Sequence, residues 1–257
     1  MSKKKASPHT ATHSAQPSER SAMGDRYLAL LEDQIVNGAG RSARTRAKLL
    51  RAAFEILSTE DISALTIVAA TKGAGIAVGT FYLHYPTTAD LMLEVFAGFA
   101  EHDIKPALPT SRTGSGLFTE MKAEFVEIVS AFRRRRIFFR AMFAFRRQEE
   151  RANDMWLRYS ARWAAELSAA AMSAKRTPDG FPEFVGHAAT AFADEIMARI
   201  YIDNIFGAAF ADDETNDEKV AELLAFSRQR LLCGVDPDPS LITIQGIAGL
   251  SPGLGEN

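Results

Sequence analysis

The chain has 257 residues, of which 47% are hydrophobic and 24% charged, a composition typical of a globular protein with a sizeable core. Its formal net charge is −2, and no uncharged apolar stretch reaches the roughly 18 residues of a membrane-spanning helix. The charge is unevenly distributed: residues 1–85 carry 11 Lys/Arg and 7 Asp/Glu, a net charge of +4, and the remainder carries −6. A basic N-terminal part beside a larger acidic part favours a head that contacts nucleic acid and a body that does not.

The first forty residues are predicted to be a disordered basic tail with a candidate extra helix. Residues 1–20 are polar and lack apolar periodicity, and the lysines among them precede no apolar core, so no signal peptide is expected. The segment 27–36 is amphipathic and ends near Gly38, so it forms a helix that either docks on the body or brings basic residues to DNA. The single cysteine, Cys233, excludes an intrachain disulfide and agrees with a reducing cytoplasm.

A compact three-helix pattern follows and predicts a small domain at residues 41–86. Its second helix begins at Thr66, whose hydroxyl can cap free backbone amides. Gly75 breaks that helix, and Pro86 closes the domain because proline is not tolerated in a helix interior. The three helices are expected over 42–58, 66–74 and 77–84.

The rest of the chain is expected to be helical, which makes the fold class all-α. A larger regulatory domain is predicted at 87–233, and no alternating β-branched run indicates a sheet. The region 234–257 is predicted to be an extended tail in which Leu241, Ile242 and Ile244 pack on the body. The expected helices of the larger domain lie near 88–102, 115–134, 136–148, 150–174, 182–210 and 216–232.

The residues that favour a function lie in the small domain, which has the parts of a helix-turn-helix. One helix braces two short ones, and the turn between them contains a glycine. The third helix starts with the small residues Ala77, Val78 and Gly79, so its N-terminus can enter the major groove of DNA. Its free amides also suit a nearby phosphate.

The segment 41–96 resembles the DNA-binding domain of TetR-family regulators. The matching pieces, quoted from this chain, are Arg44–Arg46, Leu65–Thr66, Ala74–Ile76, Gly79–Tyr85 and Leu91. The resemblance implies a small helix-turn-helix domain followed by a larger helical ligand-binding and dimerisation domain. It also implies a transcriptional regulator, in the family's commoner mode a repressor, that binds a palindromic DNA operator as a homodimer and is released by a small effector.

The resemblance places DNA contacts at named positions. Thr66, Tyr82 and His84 match phosphate contacts, and Arg41, Arg44 and Lys72 can also reach phosphates. Alternatives remain open, since Tyr82 can be a core aromatic, His84 can serve as a structural cap, and Arg41 and Arg44 can form a solvated face. Tyr85 is expected to be core. The residues expected to face base edges, together with the start of their helix, are Ala77, Val78, Gly79, Thr80 and Leu83.

Two positions depart from the family pattern. Alanine stands at position 77, where the family usually has serine, and threonine stands at position 88, where it usually has lysine. The missing lysine removes a common phosphate contact, so either the salt-dependent affinity for DNA is weaker or the basic N-terminal extension compensates. Base readout is expected to be largely apolar, through thymine methyl groups, because no arginine lies at the start of the third helix.

The larger domain is rich in aromatic side chains that suit an apolar or aromatic effector. The same stripes are also what a plain helical core requires, so both interpretations stay open. A run of arginines at 133–136, with Arg140, Arg146 and Arg147, favours either an anionic ligand or a solvated helix end. The predicted ligand-binding residues are Phe125, Phe132, Met142, Phe143, Trp156, Tyr159 and Trp163.

The last two long helices are the dimerisation candidates. The first is lined by Ala189, Phe192, Ile196, Ile200, Ile205 and Phe206, and the second by Val220, Leu223, Leu224, Leu231 and Leu232. An enzyme is disfavoured, because the grouping of His187, Asp194 and Glu195 lacks metal-helix spacing and no phosphate loop or nucleophile elbow occurs, so no cofactor is expected. The remaining alternative is a DNA-binding helical protein without a small-molecule sensor.

Overall fold

The computed structural model describes residue 22 and residues 24–104, 116–173 and 182–245. Across these ranges every regular element is helical and no β-strand occurs, so the predicted all-α class is confirmed. A wider turn extends α5 over Ala100–Ile104 and another extends α9 over Ala198–Ile202. The helices are α1 Arg26–Asn37, α2 Arg41–Thr59, α3 Ile67–Ala74, α4 Val78–Phe81, α5 Thr88–Phe99, α6 Leu117–Arg134, α7 Arg136–Gln148, α8 Glu150–Ser173, α9 Pro182–Met197, α10 Ala208–Asp212 and α11 Asp217–Cys233.

The head consists of α2, α3 and α4, and its core forms because α2 places apolar side chains on one stripe. Phe54 and Leu57 of α2 are fully buried, and α2 packs against α3. The bounds predicted for α2 and α3 agree with the structure, whereas α4 is shorter than the predicted 77–84. Phe81 is fully buried at the end of α4, and the amide of Tyr85 donates to the Phe81 carbonyl (3.0 Å) as the chain turns.

The predicted extra helix exists as α1, and it docks on both the head and the body. Its buried residues Tyr27 and Leu31 pack against α2 and the end of α5. The buried Asp103 carboxylate accepts hydrogen bonds from the amides of Gly24, Arg26 and Tyr27 at 2.8–3.0 Å. Burial raises the pKa of Asp103, although these backbone donors act in the opposite direction. The start of α1 is therefore anchored at the body, while residues 1–21 lie outside the described residues.

In the body, α11 lies at the centre and packs against α6 and α9. Two ion pairs tie it to α6: Arg228–Glu124 at 2.8 Å and Lys122–Glu222 at 2.5 Å. Glu222 is fully buried, and it also accepts hydrogen bonds from the backbone beyond α11, where Ile242 and Ile244 pack on the core as predicted. Leu241 is more exposed, and residues 246–257 lie outside the described part. No described helix has both the length and the apolar character needed to span a membrane.

The prediction of a single helix over 182–210 is wrong. The structure ends α9 at Met197, widens the turn over Ala198–Ile202 and reverses the chain before α10. Asn204 and Gly207 adopt positive φ angles of 53° and 84°, which asparagine and glycine tolerate better than other residues. Ile205 and Phe206 continued the apolar pattern in the sequence, but in the structure they lie exposed on this loop.

Candidate nucleic-acid interface and internal cavity

The turn between α3 and α4 is fixed by local hydrogen bonds. The Thr66 hydroxyl accepts from the amide of Ala69 (3.1 Å) and so caps α3, as predicted. Gly75 ends α3 in the left-handed conformation (φ 66°, ψ 39°), and its amide donates to the Lys72 carbonyl (3.2 Å). Because a residue with a Cβ is strained at this φ, glycine is the residue that sets the angle between the two short helices.

The exposed side of α4 is apolar. Val78 is 45% exposed, Tyr82 is 58% exposed and Leu83 is 82% exposed. Large apolar side chains grouped on a surface usually mark a contact site, since exposure of each one to water is unfavourable. Phe81 lies between them in sequence but is fully buried and anchors the helix to the head core. Ala77 begins α4 without a side-chain cap, as expected from the missing serine.

Exposed cationic side chains lie on the other two helices of the head. Arg41 and Arg44 are exposed at the start of α2, and Lys72 is exposed near the turn. Arg44 also donates to the Gly38 carbonyl (3.3 Å) at the end of α1. Arg46 turns away, because its guanidinium donates to Glu94 at 2.5 Å and to the Tyr85 hydroxyl at 3.3 Å. These hydrogen bonds raise the pKa of Arg46. Arg46 thus links α2 of the head to α5.

The eleven predicted DNA-binding residues fall on α2, on α3 with its cap and turn, and on α4 with its following turn. Thr80 and His84 are half-buried and the other nine are exposed. Tyr85 is core, as predicted, and burial raises the pKa of its hydroxyl. Sequence reasoning missed Val68, which is 65% exposed on α3 beside the Thr66 cap. The signal was available, because a valine two residues after a capping threonine lies on the outer side of a short helix.

The body contains an internal cavity of about 50 Å³. Its walls come from the end of α5 and from α6, α7, α8, α9 and α11, and they are mostly apolar. The lining residues are Ile104, Phe125, Ile128, Phe132, Phe139, Trp156, Trp163, Glu166, Leu167, Thr190, Ala193, Asp194, Met197 and Arg228. A space of this size holds roughly three or four water-sized groups.

Four of the seven predicted ligand residues line this cavity: Phe125, Phe132, Trp156 and Trp163. The other three lie nearby without lining it. Phe143 borders an adjoining depression, Tyr159 is half-buried against the Trp163 ring, and Met142 is buried in the core.

The polar part of the cavity wall was missed from the sequence. Thr190 and Asp194 lie on α9, and Arg228 lies on α11, far along the chain from the aromatic stripe. Burial raises the pKa of Asp194 to about 7, against the opposing influence of Arg146 and Arg228. No periodicity on one helix reports which residues of distant helices share a cavity.

A more polar surface depression of about 420 Å³ adjoins the cavity. The two spaces share Trp156, Thr190 and Asp194. His187 and Glu195 also border it, but among the described residues no group of three His, Cys, Asp or Glu side chains can hold a metal ion. Asp194 therefore lies between the surface and the internal space.

Most of the arginine run is engaged in ion pairs. Arg133 pairs with Asp217 (3.0 Å), Arg135 pairs with Asp25 (2.5 Å), and Arg136 pairs with Asp212. Arg146 is different, because its guanidinium lies over the rings of Phe143 and Trp156 at about 5 Å and borders the surface depression. Burial lowers the pKa of Arg146.

The predicted dimerisation residues divide into three groups by burial, of which Ile196 and Leu223 form the half-buried one. Ala189, Ile200, Val220, Leu224 and Leu232 are buried in the core of the chain itself. A second group is exposed on α9, the following loop and α11: Phe192, Ile205, Phe206 and Leu231. The exposed group offers the most surface to another chain.

A series of aromatic rings connects the cavity with the head. Phe132 and Phe139 line the cavity and stack on each other, with ring centroids 3.7 Å apart and an interplanar angle of 14°. Phe139 contacts Phe99 of α5 (5.5 Å), and Phe99 contacts Phe138 (4.7 Å). Phe138 in turn lies against Phe54 of α2, so an unbroken set of ring contacts joins the cavity wall to the head core.

Comparison with known proteins agrees with this geometry. Residues 49–95 match the family model described as "Bacterial regulatory proteins, tetR family". No curated protein sequence gives a match. Three solved structures share the fold across most of this chain, at identities too low to carry more than the fold.

Among these structures, GusR of Salmonella enterica is 16% identical with a TM-score of 0.56, covering 76% of this chain and 99% of its own. A candidate TetR-family transcriptional regulator from Mesorhizobium loti is 14% identical with a TM-score of 0.56, covering 75% and 98%. A candidate fatty acid metabolism regulator from Clostridium perfringens is 15% identical with a TM-score of 0.52, covering 73% and 98%.

Proposed function

We propose that the chain is a TetR-family transcriptional regulator, a ligand-responsive repressor that binds a palindromic operator as a homodimer. The observation that carries the proposal is the exposed apolar surface of α4, in a head whose α2 and α3 also expose Arg41, Arg44 and Lys72. An apolar recognition helix suits thymine methyl groups in the major groove, and exposed cations on the same small domain suit the DNA phosphates.

The homodimer follows from the geometry of DNA. Two recognition helices reach successive major grooves only when they are about 34 Å apart, which requires two heads related by a two-fold axis. The exposed residues Phe192 and Leu231 on α9 and α11 are the proposed contact with the second chain. Such a regulator acts on chromosomal DNA, and we place it in the cytoplasm.

The proposed effector is a small, largely apolar or aromatic molecule that occupies the internal cavity. Occupation would move the stacked pair Phe132 and Phe139 and, through Phe99, shift α5. Because α5 begins next to the helix-turn-helix, this shift changes the fraction of molecules whose heads are positioned to bind the operator. Release from DNA is the expected result.

The cavity also distinguishes the proposal from its alternative. A DNA-binding helical protein without a sensor has no need for an internal space, which removes packing contacts and destabilises the fold. A cavity lined by aromatic residues and joined to a surface depression through Trp156 and Asp194 favours a sensor. No enzymatic step is proposed.

The test is a binding measurement with the duplex that lies upstream of the chain's own gene. Fluorescence anisotropy at about 0.15 M salt, where distant charges are largely screened, compares this duplex with one of scrambled sequence. We expect specific binding to the upstream duplex and its loss when an extract of cell metabolites is added. Equal affinity for both duplexes contradicts the proposal of a sequence-specific regulator. If the metabolites leave the affinity for the upstream duplex unchanged, the alternative without a sensor is favoured.

A further inference from the structure

Two buried hydrogen-bond donors at the cavity have no partner within the described residues. They are Nε1 of Trp163 and Nε of Arg228. Trp163 is 5% exposed and Arg228 is 6% exposed, and both line the cavity. Buried donors in folded proteins are almost always paired, so a pair of them at one cavity points to a molecule that accepts from both.

The remaining contacts of Arg228 leave Nε as the donor available to such a molecule. Its Nη1 donates to Glu124 (2.8 Å), and its guanidinium lies 3.8 Å from the centre of the Phe125 ring. The charge of Arg228 is therefore already balanced by Glu124. The cavity offers a donor from this side chain and not an unpaired positive charge.

The charged groups around the cavity select against an ionised ligand. Asp194 and Glu166 lie on the wall, and Arg146 lies at the adjoining depression. A carboxylate would add a negative charge beside Asp194, since Arg228 is already paired with Glu124. An ammonium group would pair with Asp194 but would present only donors to Trp163 and Arg228.

We propose that an uncharged molecule the size of a single ring binds across the cavity and the adjoining depression, with its carbonyl oxygen in the cavity, where it accepts hydrogen bonds from Trp163 Nε1 and Arg228 Nε. Because the cavity alone is too small for a ring, the ring lies toward the depression, against the apolar surface of Trp156 and Phe143. This inference deepens the proposed function, because it names the chemical class of the effector at the proposed effector site.

The binding experiment uses four probes of similar shape: acetophenone, benzoate, benzylamine and ethylbenzene. The chain has two tryptophans, Trp156 and Trp163, and both line the cavity, so intrinsic fluorescence reports occupation directly. We expect acetophenone to bind about tenfold more tightly than ethylbenzene, because one or two buried hydrogen bonds are gained. We also expect benzoate and benzylamine to bind more weakly than acetophenone. Binding of no probe, or tighter binding of benzoate, benzylamine or ethylbenzene, overturns the proposal.

Matched single-tryptophan variants test the hydrogen bond itself. Trp163→Phe keeps an aromatic ring but removes Nε1, so the preference for acetophenone over ethylbenzene should fall about tenfold. Trp156→Phe changes the other ring of the same wall and should lower both affinities together, so their ratio stays as in the wild type. An unchanged ratio in Trp163→Phe overturns the proposal.

Arg228→Lys provides the same test if Trp163→Phe does not fold. Lysine keeps the positive charge for Glu124 but lacks Nε, so the preference for acetophenone should again fall; an unchanged preference overturns the proposal. The measurement requires no DNA. If acetophenone binds as expected but leaves operator affinity unchanged, the effector role in the proposed function fails while the binding preference stands.

Discussion

The ring of Phe54 in the head lies 4.7 Å, centroid to centroid, from the ring of Phe138 in the body. Both side chains are buried, and the Arg135 guanidinium lies over the Phe54 ring, 5.4 Å from its centre. A head that moves relative to its body must therefore change this contact. A buried aromatic contact has discrete packing arrangements, so it suits a two-state response better than a flexible linker does.

The first prediction concerns this contact. Ala193→Met fills part of the cavity and so takes the place of an effector. It should weaken operator binding about fivefold, the lower end of the coupling typically found between an effector site and a second binding site. In the double variant with Phe138→Leu, the added effect of Ala193→Met should be smaller. DNA affinities of the wild type, both single variants and the double variant measure this coupling.

A second double variant controls for a general loss of packing. Phe118→Leu changes another buried phenylalanine, which lies on α6 outside the described ring contacts that join the cavity to the head. The effect of Ala193→Met should persist with Phe118→Leu. Equal effects in both backgrounds would show that the contact between Phe54 and Phe138 does not carry the response.

The second prediction concerns Tyr82, which is 58% exposed beside the recognition helix. Tyr82→Phe removes a hydroxyl proposed to contact phosphate and should weaken operator binding about tenfold, as expected for a hydrogen bond to a charged group. Tyr82→Ala also removes the ring and should nearly abolish binding. Anisotropy measures the affinity, and thermal unfolding should show that both variants remain folded. Full affinity in Tyr82→Ala would remove this residue from the interface.

The third prediction concerns the basic N-terminal extension. Deletion of residues 1–40 is expected to weaken DNA binding, but it would also remove Tyr27 and Leu31 from the core. Deletion of residues 1–20 is the sharper test, because it removes four cations before α1 begins. If these cations bind phosphates, the slope of log affinity against log salt should decrease by about 0.9 for each phosphate that the shortened chain leaves unneutralised. An unchanged slope would mean that the extension does not compensate for the missing lysine at Thr88.

The fourth prediction concerns the docking of α1. A Cβ added at Gly98 would lie only 2.3–2.5 Å from atoms of the Tyr27 ring. Gly98→Ala should therefore displace Tyr27 and lower the free energy of unfolding by about 1–3 kcal/mol, as overpacking does. The same substitution at Gly79 is the control, since nothing lies within 4 Å of the added Cβ. If urea unfolding gives the two variants the same free energy of unfolding, the close approach of Gly98 to Tyr27 is contradicted.

The fifth prediction concerns Asp194. Burial raises its pKa to about 7 in the folded state, from an ordinary value of 3.8. A raised folded-state pKa means that folding favours the protonated form, so its stabilisation is complete below about pH 4 and is lost as the pH rises through about 7. The charges that bear on this group are Arg146 and Arg228, with Glu166 on the same cavity wall.

Asp194→Asn tests this directly. The free energy of unfolding of the variant relative to the wild type should increase between pH 5 and pH 8 and level off above pH 8. Unfolding curves in denaturant across this range provide the measurement. A difference that does not change with pH would show that Asp194 remains ionised in the folded protein.

The sequence alone determined the elements whose signals are local. Thr66 and Gly75 are chemically specific signals for the start and end of α3. The apolar residues of α2 recur with the helical period, so the bounds of both helices were predicted correctly. The aromatic character of the cavity was also visible, because Phe125, Phe132, Trp156 and Trp163 belong to apolar helix faces. The sequence pattern mispredicted the turn at Asn204, because apolar residues at helical spacing continue beyond it.

Only the tertiary structure decided which distant residues meet. Asp103 and the start of α1 are separated by more than seventy residues, and Arg228 and Trp163 by sixty-five, yet each pair serves one site. Backbone periodicity specifies which face of a helix is apolar, but helix packing determines what that face contacts. The head could thus be recognised from its residues, whereas the donors of the cavity emerged only when α8 and α11 were brought together.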